Sequence, residues 1–313
     1  MSEHSGVRKK QVKLVEVGPR DGLQNESGLI QTSDKIRFIE LLAKSGLKHI
    51  ELTSFVHPKA VPQLADAADV IQGVGALTDC ETSVLVPNEK GLERALEVGV
   101  KRIAVFTAAS SAFTEKNIRM TVDESIQAFT PVVQRALSEG LSVRGYVSTV
   151  VACPYVGKIQ SKAVLETTQR LFDLGVDEVS LGDTVGVAVP TDIEQLFTAI
   201  QEKHPNWLPQ LAFHGHDTYG MAVANAVKAW EMGVTIFDSS AGGLGGCPYA
   251  PGASGNVATE ELVYLFESMG VQTGVDLEML AEASLYMEEV LGRPLASKQL
   301  QRIKSSKDSH CRV

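Results

Sequence analysis

Two histidines one residue apart, His214 and His216, are the side chains best placed to do chemistry, and they close the apolar run QLAFHGHD that starts at Gln210. On an extended strand, residues i and i+2 point to the same side, roughly 7 Å apart, so both imidazoles can converge on one ion. Two histidines and a carboxylate form a common binding set for a divalent cation. A metal-free hydrogen-bonded pair accounts for the same residues. Asp217 points to the opposite side and is expected to be structural.

The natural third ligand is Asp21, in Gly18-Pro19-Arg20-Asp21-Gly22-Leu23-Gln24, which follows another apolar run. Asp-Gly is a strong turn signal and explains those two residues as an ordinary polar turn. It does not explain Arg20 before them. An arginine at a strand end can hold an enolate or carbonyl oxygen as charge develops. Glu51 and Asp183 also fall in or just after apolar runs, where a polar side chain needs a partner.

A third feature runs from Gly242 to Asn256, with six glycines among fifteen residues. It reads either as a flexible connector or as a lid carrying the thiol of Cys247 to a substrate. A cysteine in a tuned environment can donate or accept a proton. Asn256 can cap a helix beginning at Val257, or it can place its side-chain oxygen on a metal.

The elements that must position these groups recur regularly. β-branched apolar runs start near Val12, His49, Glu81, Arg102, Ser142, Glu178, Gln210 and Ile236, with successive starts 21 to 40 residues apart. Helical periodicity fills the gaps. In one gap it runs from Ser33 as N-cap through Ile36, Ile39, Leu42 and Ala43 to a stop at Gly46. Eight strand–helix units predict an α/β fold, a (β/α)8 TIM barrel, with the candidate residues at the C-terminal strand ends where barrel active sites lie. An open doubly wound sheet is the alternative, but the chain lacks the GxGxxG turn. Further helices are expected over 257–269 and 276–291. The domain reading is a flexible N-terminus over 1–11, one catalytic barrel domain with C-terminal helices over 12–296, and a polar, mobile tail over 297–313.

Bulk properties narrow the partners. The chain has 313 residues, 44% hydrophobic and 21% charged, enough for a substantial core. A net charge of −9 and a pI near 5.4 offer no basic surface for nucleic acid. No apolar run approaches the roughly 20 residues of a membrane span. Residues 1–10 are polar and too short for a signal or transit peptide, so a bacterial-type cytoplasmic location is expected. Cys80, Cys153, Cys247 and Cys311 are far apart with no CxxC spacing, which argues against a disulfide framework or structural zinc.

The motifs VGPRDGLQNE (17–26), IELTSF (50–55), VRGYVS (143–148), SLGDTVG (180–186), HGHDTYG (214–220) and GLGGCPYAPGASGN (243–256) resemble those of the 3-hydroxy-3-methylglutaryl-CoA lyases, in the same order. The RDGxQ portion is shared with isopropylmalate and homocitrate synthases and with carboxyltransferase domains; the glycine-rich cysteine loop is the lyase-specific part. The resemblance implies a Mg2+ or Mn2+ ion held by Asp21, His214, His216 and Asn256. It implies cleavage of the acyl-CoA substrate to acetyl-CoA and acetoacetate, the chemistry of leucine breakdown and ketone-body formation. Arg20 would stabilise the enolate and, with Gln24, contact substrate. Cys247 would transfer a proton, Asp183 would take the C3 hydroxyl proton, and Glu51 would orient Arg20 or the metal-ligand side. Glu260 would steady the loop, although a helix-surface glutamate explains it as well. A homodimer is a further family expectation. Gly215 stands where many relatives carry cysteine, and Ser27 where some carry lysine. Cys311 resembles a C-terminal cysteine that cross-links some lyases, or is an idle thiol. A condensing synthase of the same superfamily, a lyase for another 3-hydroxyacyl-CoA and a silent binding protein are the competing readings.

Overall fold

A computed structural model describes residues 11–246 and 255–310. Cys247 and Cys311 lie outside that range. The strands are β1 (Lys13–Glu16), β2 (His49–Ser54), β3 (Glu81–Leu85), β4 (Arg102–Ala108), β5 (Ser142–Ser148), β6 (Ala152–Cys153), β7 (Gly157–Lys158), β8 (Glu178–Asp183), β9 (Leu211–Gly215) and β10 (Ile236–Ser239). The helices are α1 (Thr32–Lys44), α2 (Ala67–Val74), α3 (Glu89–Glu97), α4 (Ser111–Ile118), α5 (Val122–Ser138), α6 (Ser161–Asp173), α7 (Pro190–Lys203), α8 (Ala222–Glu231), α9 (Thr259–Ser268), α10 (Leu277–Leu291) and α11 (Lys298–His310).

Eight parallel strands close in the order β1-β10-β9-β8-β5-β4-β3-β2, while β6 and β7 form a separate antiparallel hairpin. All eight apolar runs singled out in the sequence are barrel strands, so the (β/α)8 expectation holds. Each strand turns one set of side chains outward: Leu14, Ile50, Val84, Ile103, Val143, Val179, Leu211 and Phe237 join one core with residues of the surrounding helices such as Phe38, Leu92 and Val133. Burying each such side chain contributes roughly 1.5–3 kcal/mol. No helix among the described residues is long and apolar enough to cross a membrane.

The alternate positions face the barrel axis, and there the packing is mixed. Val15, Val17, Ala212 and Ile236 form a small apolar cluster. Beside it the interior is charged. Arg144 donates from Nε to Glu178 Oε1 at 2.6 Å, from Nη1 to Tyr146 at 2.7 Å and from Nη2 to Asp238 Oδ1 at 2.5 Å. Lys13 reaches the other oxygen of Glu178 at 2.8 Å, and Tyr146 donates to Glu51 at 2.9 Å. Buried pairs of this kind add little net stability, yet removing one partner typically costs about 3–5 kcal/mol. Within this set of Lys13, Glu178, Arg144, Tyr146, Glu51 and Asp238, each charged group has a partner.

Three expectations need correction. Of the polar, mobile tail expected over 297–313, Lys298–His310 form a helix, α11, whose Leu300 and Ile303 are fully buried, three-residue spacing putting both on one face; residues 311–313 lie outside the described range. Within the expected N-terminal arm, residues 1–10 lie outside the described range and Gln11 pairs with Gln272. Helix α1 starts at Thr32 with Gln31 as N-cap, so Ser33 sits inside the first turn; its end near Gly46, at φ +97°, is as expected.

Candidate active site

The site begins where β1 runs into a π-helical turn, Gly18–Gly22. Pro19 suits the opening of such a turn, its second residue, where no amide donor is needed. Glu16 Oε1 accepts from the Gly18 amide at 2.8 Å, and the Asp21 and Gly22 amides both donate to the Val17 carbonyl, at 2.7 and 3.2 Å. Gly22 is required sterically: a Cβ there would lie 2.8 Å from Leu244 Cβ and 2.9 Å from Ser240 Oγ. The turn sets Arg20 and Asp21 side by side at the strand ends.

Asp21, His214 and His216 each offer a ligand atom within 4.8 Å of the others. Asn256 joins them, donating from Nδ2 to Asp21 Oδ2 at 2.8 Å and to the Leu244 carbonyl at 3.3 Å. It is not a helix cap, because α9 starts only at Thr259. Instead Asn256 bridges to His216 as an added antiparallel partner of the end of β9, with Val257 N on Gly215 O at 3.0 Å and Asp217 N on Gly255 O at 2.7 Å. The buried Asn256 Oδ1 and His216 Nδ1 have no hydrogen-bond partner. Two orphaned buried acceptors beside a carboxylate and a second imidazole suit a divalent cation, and the mixed oxygen–nitrogen set lacks the thiolates a soft metal prefers.

Electrostatics favour the same states. Burial works against charge on Asp21, but Arg20, His214, His216 and the Asn256 amide outweigh it and bring its pKa down to about 2. Burial, reinforced by His214, lowers His216 to about 4, so the imidazole is neutral and able to bind a cation at pH 7. Arg20 is buried, which disfavours its charge; Glu51 and Asp21 overcome this and hold it above the ordinary arginine range. Its Nε donates to Glu51 Oε1 and its Nη1 to Asp21 Oδ1. Glu51 therefore sits behind Arg20, fixed on its other oxygen by Tyr146. Gln24 donates to Asp21 Oδ1 at 2.9 Å.

Asp183 stands apart from this group. It pairs in register with Gly215, whose α-carbon faces Ala222 of α8, and its Oδ2 accepts from the Ala188 amide at 3.0 Å. Its Oδ1 is buried without a partner. Desolvation raises its pKa to about 6 despite amides at Ala188, Val187 and Gly186. Asp217 accepts from the Ala222 amide at 3.0 Å, in keeping with a structural role.

Glu260 is no surface glutamate. It is fully buried, accepting from the Gly242 amide on both oxygens at 3.0 and 2.9 Å and from Ser284. It therefore anchors the turn that leads into the glycine-rich loop, where Gly242 takes φ +67°. Burial raises its pKa to about 8, and the fully buried Glu16, on Gly18, Ala241 and Thr259, to about 7. A raised carboxyl favours the native state below its ordinary pKa, and this contribution is lost as pH rises through the folded value. Carboxylates such as Asp21 are already ionised across that window. Wild-type protein should therefore lose on the order of 6 kcal/mol between about pH 5 and 8 from these two groups. Melting temperatures of wild type and Glu260→Gln, taken at both pH values, should show a shallower decline in the variant; parallel declines would contradict the assignment.

Sequence reasoning missed Arg144, Tyr146, Ser180 and Asp238. His214 Nδ1 lies 3.2 Å from Asp238 Oδ2, which also accepts from Ser180 at 2.7 Å. Arg144 and His214 overcome the cost of burial and hold Asp238 well below the usual carboxylate range. The available signal was a charged residue at an axis-facing position of an otherwise apolar strand.

Fold and site define a (β/α)8 barrel with a candidate divalent-metal centre at the C-terminal strand ends. The chain belongs to the HMGL-like family, whose model matches residues 11–286. It is 49% identical over 296 residues to the mitochondrial hydroxymethylglutaryl-CoA lyase of Bos taurus, covering 95% of this chain and 90% of that one. The crystal structure of Bacillus subtilis HMG-CoA lyase superposes with a TM-score of 0.93 at 47% identity, covering 95% and 99% of the two chains. An Acinetobacter baumannii HMG-CoA lyase solved with coenzyme A and 3-methylmalate gives 0.87 at 36% identity, with 96% of each chain covered.

Proposed function

We propose that the protein is a carbon–carbon lyase that cleaves 3-hydroxy-3-methylglutaryl-CoA to acetyl-CoA and acetoacetate with a divalent cation. The observation that carries this reading is the meeting of Asp21, His214, His216 and the orphaned Asn256 oxygen beside a buried Arg20. Relatives of nearly the same length bear that activity in their names, and one was solved with coenzyme A.

A Mg2+ or Mn2+ ion held by Asp21, His214, His216 and Asn256 would supply Lewis acidity toward the substrate's tertiary hydroxyl. The protein's own groups then divide the proton work. Asp183, set back on the α8 side of β8, takes the C3 hydroxyl proton through a bridging water as the C3 carbonyl of acetoacetate forms and the C2–C3 bond breaks. The electron pair of that bond becomes the acetyl-CoA enolate, whose oxygen Arg20 stabilises while Glu51 keeps the guanidinium in place. Gln24 contacts substrate beside Asp21. Cys247 delivers a proton to C2, completing acetyl-CoA. A homodimer in the cytoplasm serving leucine breakdown is part of the same proposal.

The test is a product assay on metal-stripped protein, with and without added Mg2+ or Mn2+, beside Cys247→Ala. Acetoacetate and acetyl-CoA should appear only with metal and be largely lost in the variant. Folded, metal-loaded wild type without turnover would send the substrate assignment to another 3-hydroxyacyl-CoA.

A pH profile tests Asp183. A base with a pKa of about 6 must be deprotonated, so kcat/KM should rise with pH through that value. Asp183→Asn should lower kcat by about 10²–10⁴-fold and abolish that limb. An unchanged limb would assign the base elsewhere.

A further inference from the structure

The barrel interior contains one chain of hydrogen bonds whose direction is fixed at every link. Arg20 can only donate, and it donates to Glu51. Tyr146 gives its proton to the other oxygen of Glu51 and accepts from Arg144, which again can only donate. Arg144 then occupies Asp238 Oδ1 at 2.5 Å, and the Ser180 hydroxyl reaches Oδ2 at 2.7 Å. The last member is His214 Nδ1, 3.2 Å from the same Oδ2. A carboxylate paired with an arginine has only lone pairs to offer. The imidazole nitrogen facing it must carry the proton.

We propose that Asp238, clamped by Arg144 and Ser180, is a positioning residue that locks His214 in the Nδ1–H tautomer and so reserves Nε2 for the cation. The proposal rests on the metal reading of the site. It explains why a fully buried carboxylate and a fully buried arginine are spent on a strand interior that apolar residues would fill. Asp238 belongs to β10 and His214 to β9, and the two are register partners, so a rigid ladder sets their separation.

Asp238→Asn tests the proposal because its outcome is dictated by Arg144. The guanidinium needs an acceptor, so the amide oxygen stays at the Oδ1 position. The NH2 group then takes the place of Oδ2, where Ser180 can accept from it. His214 Nδ1 must also accept, which moves the ring proton to Nε2 and blocks that nitrogen as a ligand. The shape is unchanged and the tautomer is wrong.

The measurement is a long-range 1H–15N spectrum of metal-free protein labelled with 15N-histidine, together with Mn2+ binding by equilibrium dialysis for wild type, Asp238→Asn and Ser180→Ala. Wild-type His214 should carry its proton on Nδ1, and the asparagine variant on Nε2. Mn2+ affinity should fall about 10–100-fold in Asp238→Asn. Ser180→Ala removes a single hydrogen bond, keeps the carboxylate and should lose less than about tenfold. A wild-type proton on Nε2 would refute the proposal without any variant, as would an asparagine variant that binds Mn2+ as well as Ser180→Ala does. Wild type that fails to bind Mn2+ would instead overturn the metal reading, while the metal-free spectrum still decides the tautomer.

Discussion

Arg20→Gln is expected to lower kcat by about 10³-fold with a much smaller change in KM. On the proposed mechanism the charge that Arg20 meets would develop only as the carbon–carbon bond breaks, so its loss should fall on the chemical step. The side chain is buried and bonded through Nε and Nη1 to Glu51 and Asp21, which fixes the fork before substrate arrives. Removing the guanidinium leaves the Glu51 and Asp21 carboxylates without their shared partner, at a cost of about 3–5 kcal/mol. Thermal denaturation should therefore show a lower melting temperature as well. Arg20→Lys separates the two effects: it keeps the charge but not the planar fork, so stability should partly return while kcat stays low. A glutamine variant within tenfold of wild-type kcat would remove Arg20 from the chemistry.

Asp21→Asn should have the largest effect on metal binding. Asp21 is the one carboxylate among the ligand candidates, and its pKa of about 2 keeps it charged at any working pH. Its amide replacement is nearly isosteric but neutral. Mn2+ affinity measured by calorimetry should fall by more than the roughly 10–100-fold seen for groups that lie behind a ligand. Turnover at fixed Mn2+ should fall with it. A depressed carboxyl stabilises the native state above its ordinary pKa and loses that contribution only as pH falls through the folded value. Metal-free Asp21→Asn should therefore melt earlier than wild type at neutral pH, with the gap closing in acid. Retention of wild-type Mn2+ affinity would exclude Asp21 as a ligand.

The parts of this molecule legible in the sequence share one property: their physical reason is local. The eight strands announce themselves by β-branched apolar runs, and His214 and His216 announce a shared face by spacing alone. Arg20 and Asp21 stand out because polar residues follow an apolar strand at once. The parts that were not legible depend on distant partners. Arg144 and Asp238 are 94 residues apart, and nothing near either one signals that they pair across the barrel axis. Glu260 looks like any first-turn helix glutamate until the Gly242 amide and Ser284 close over it. Helix α11 is polar along most of its length, so two buried residues, Leu300 and Ile303, had to outweigh the composition. Asn256 stayed open between a cap and a metal ligand, because the chain's pairing with the end of β9 cannot be seen from one strand.

The polar chain through the barrel also bears on how this protein can change over generations. Lys13, Glu178, Arg144, Asp238, Tyr146, Glu51 and Arg20 each satisfy a neighbour, so no one of them can drift without stranding another. Effects of substitutions within such a set do not add. A descendant reaches a different interior only by exchanging partners together, since the single steps pass through intermediates with an unpaired buried charge. Grafting the site onto another barrel meets the same barrier: the four candidate ligands and an arginine moved alone would leave behind the residues that surround and hydrogen-bond them.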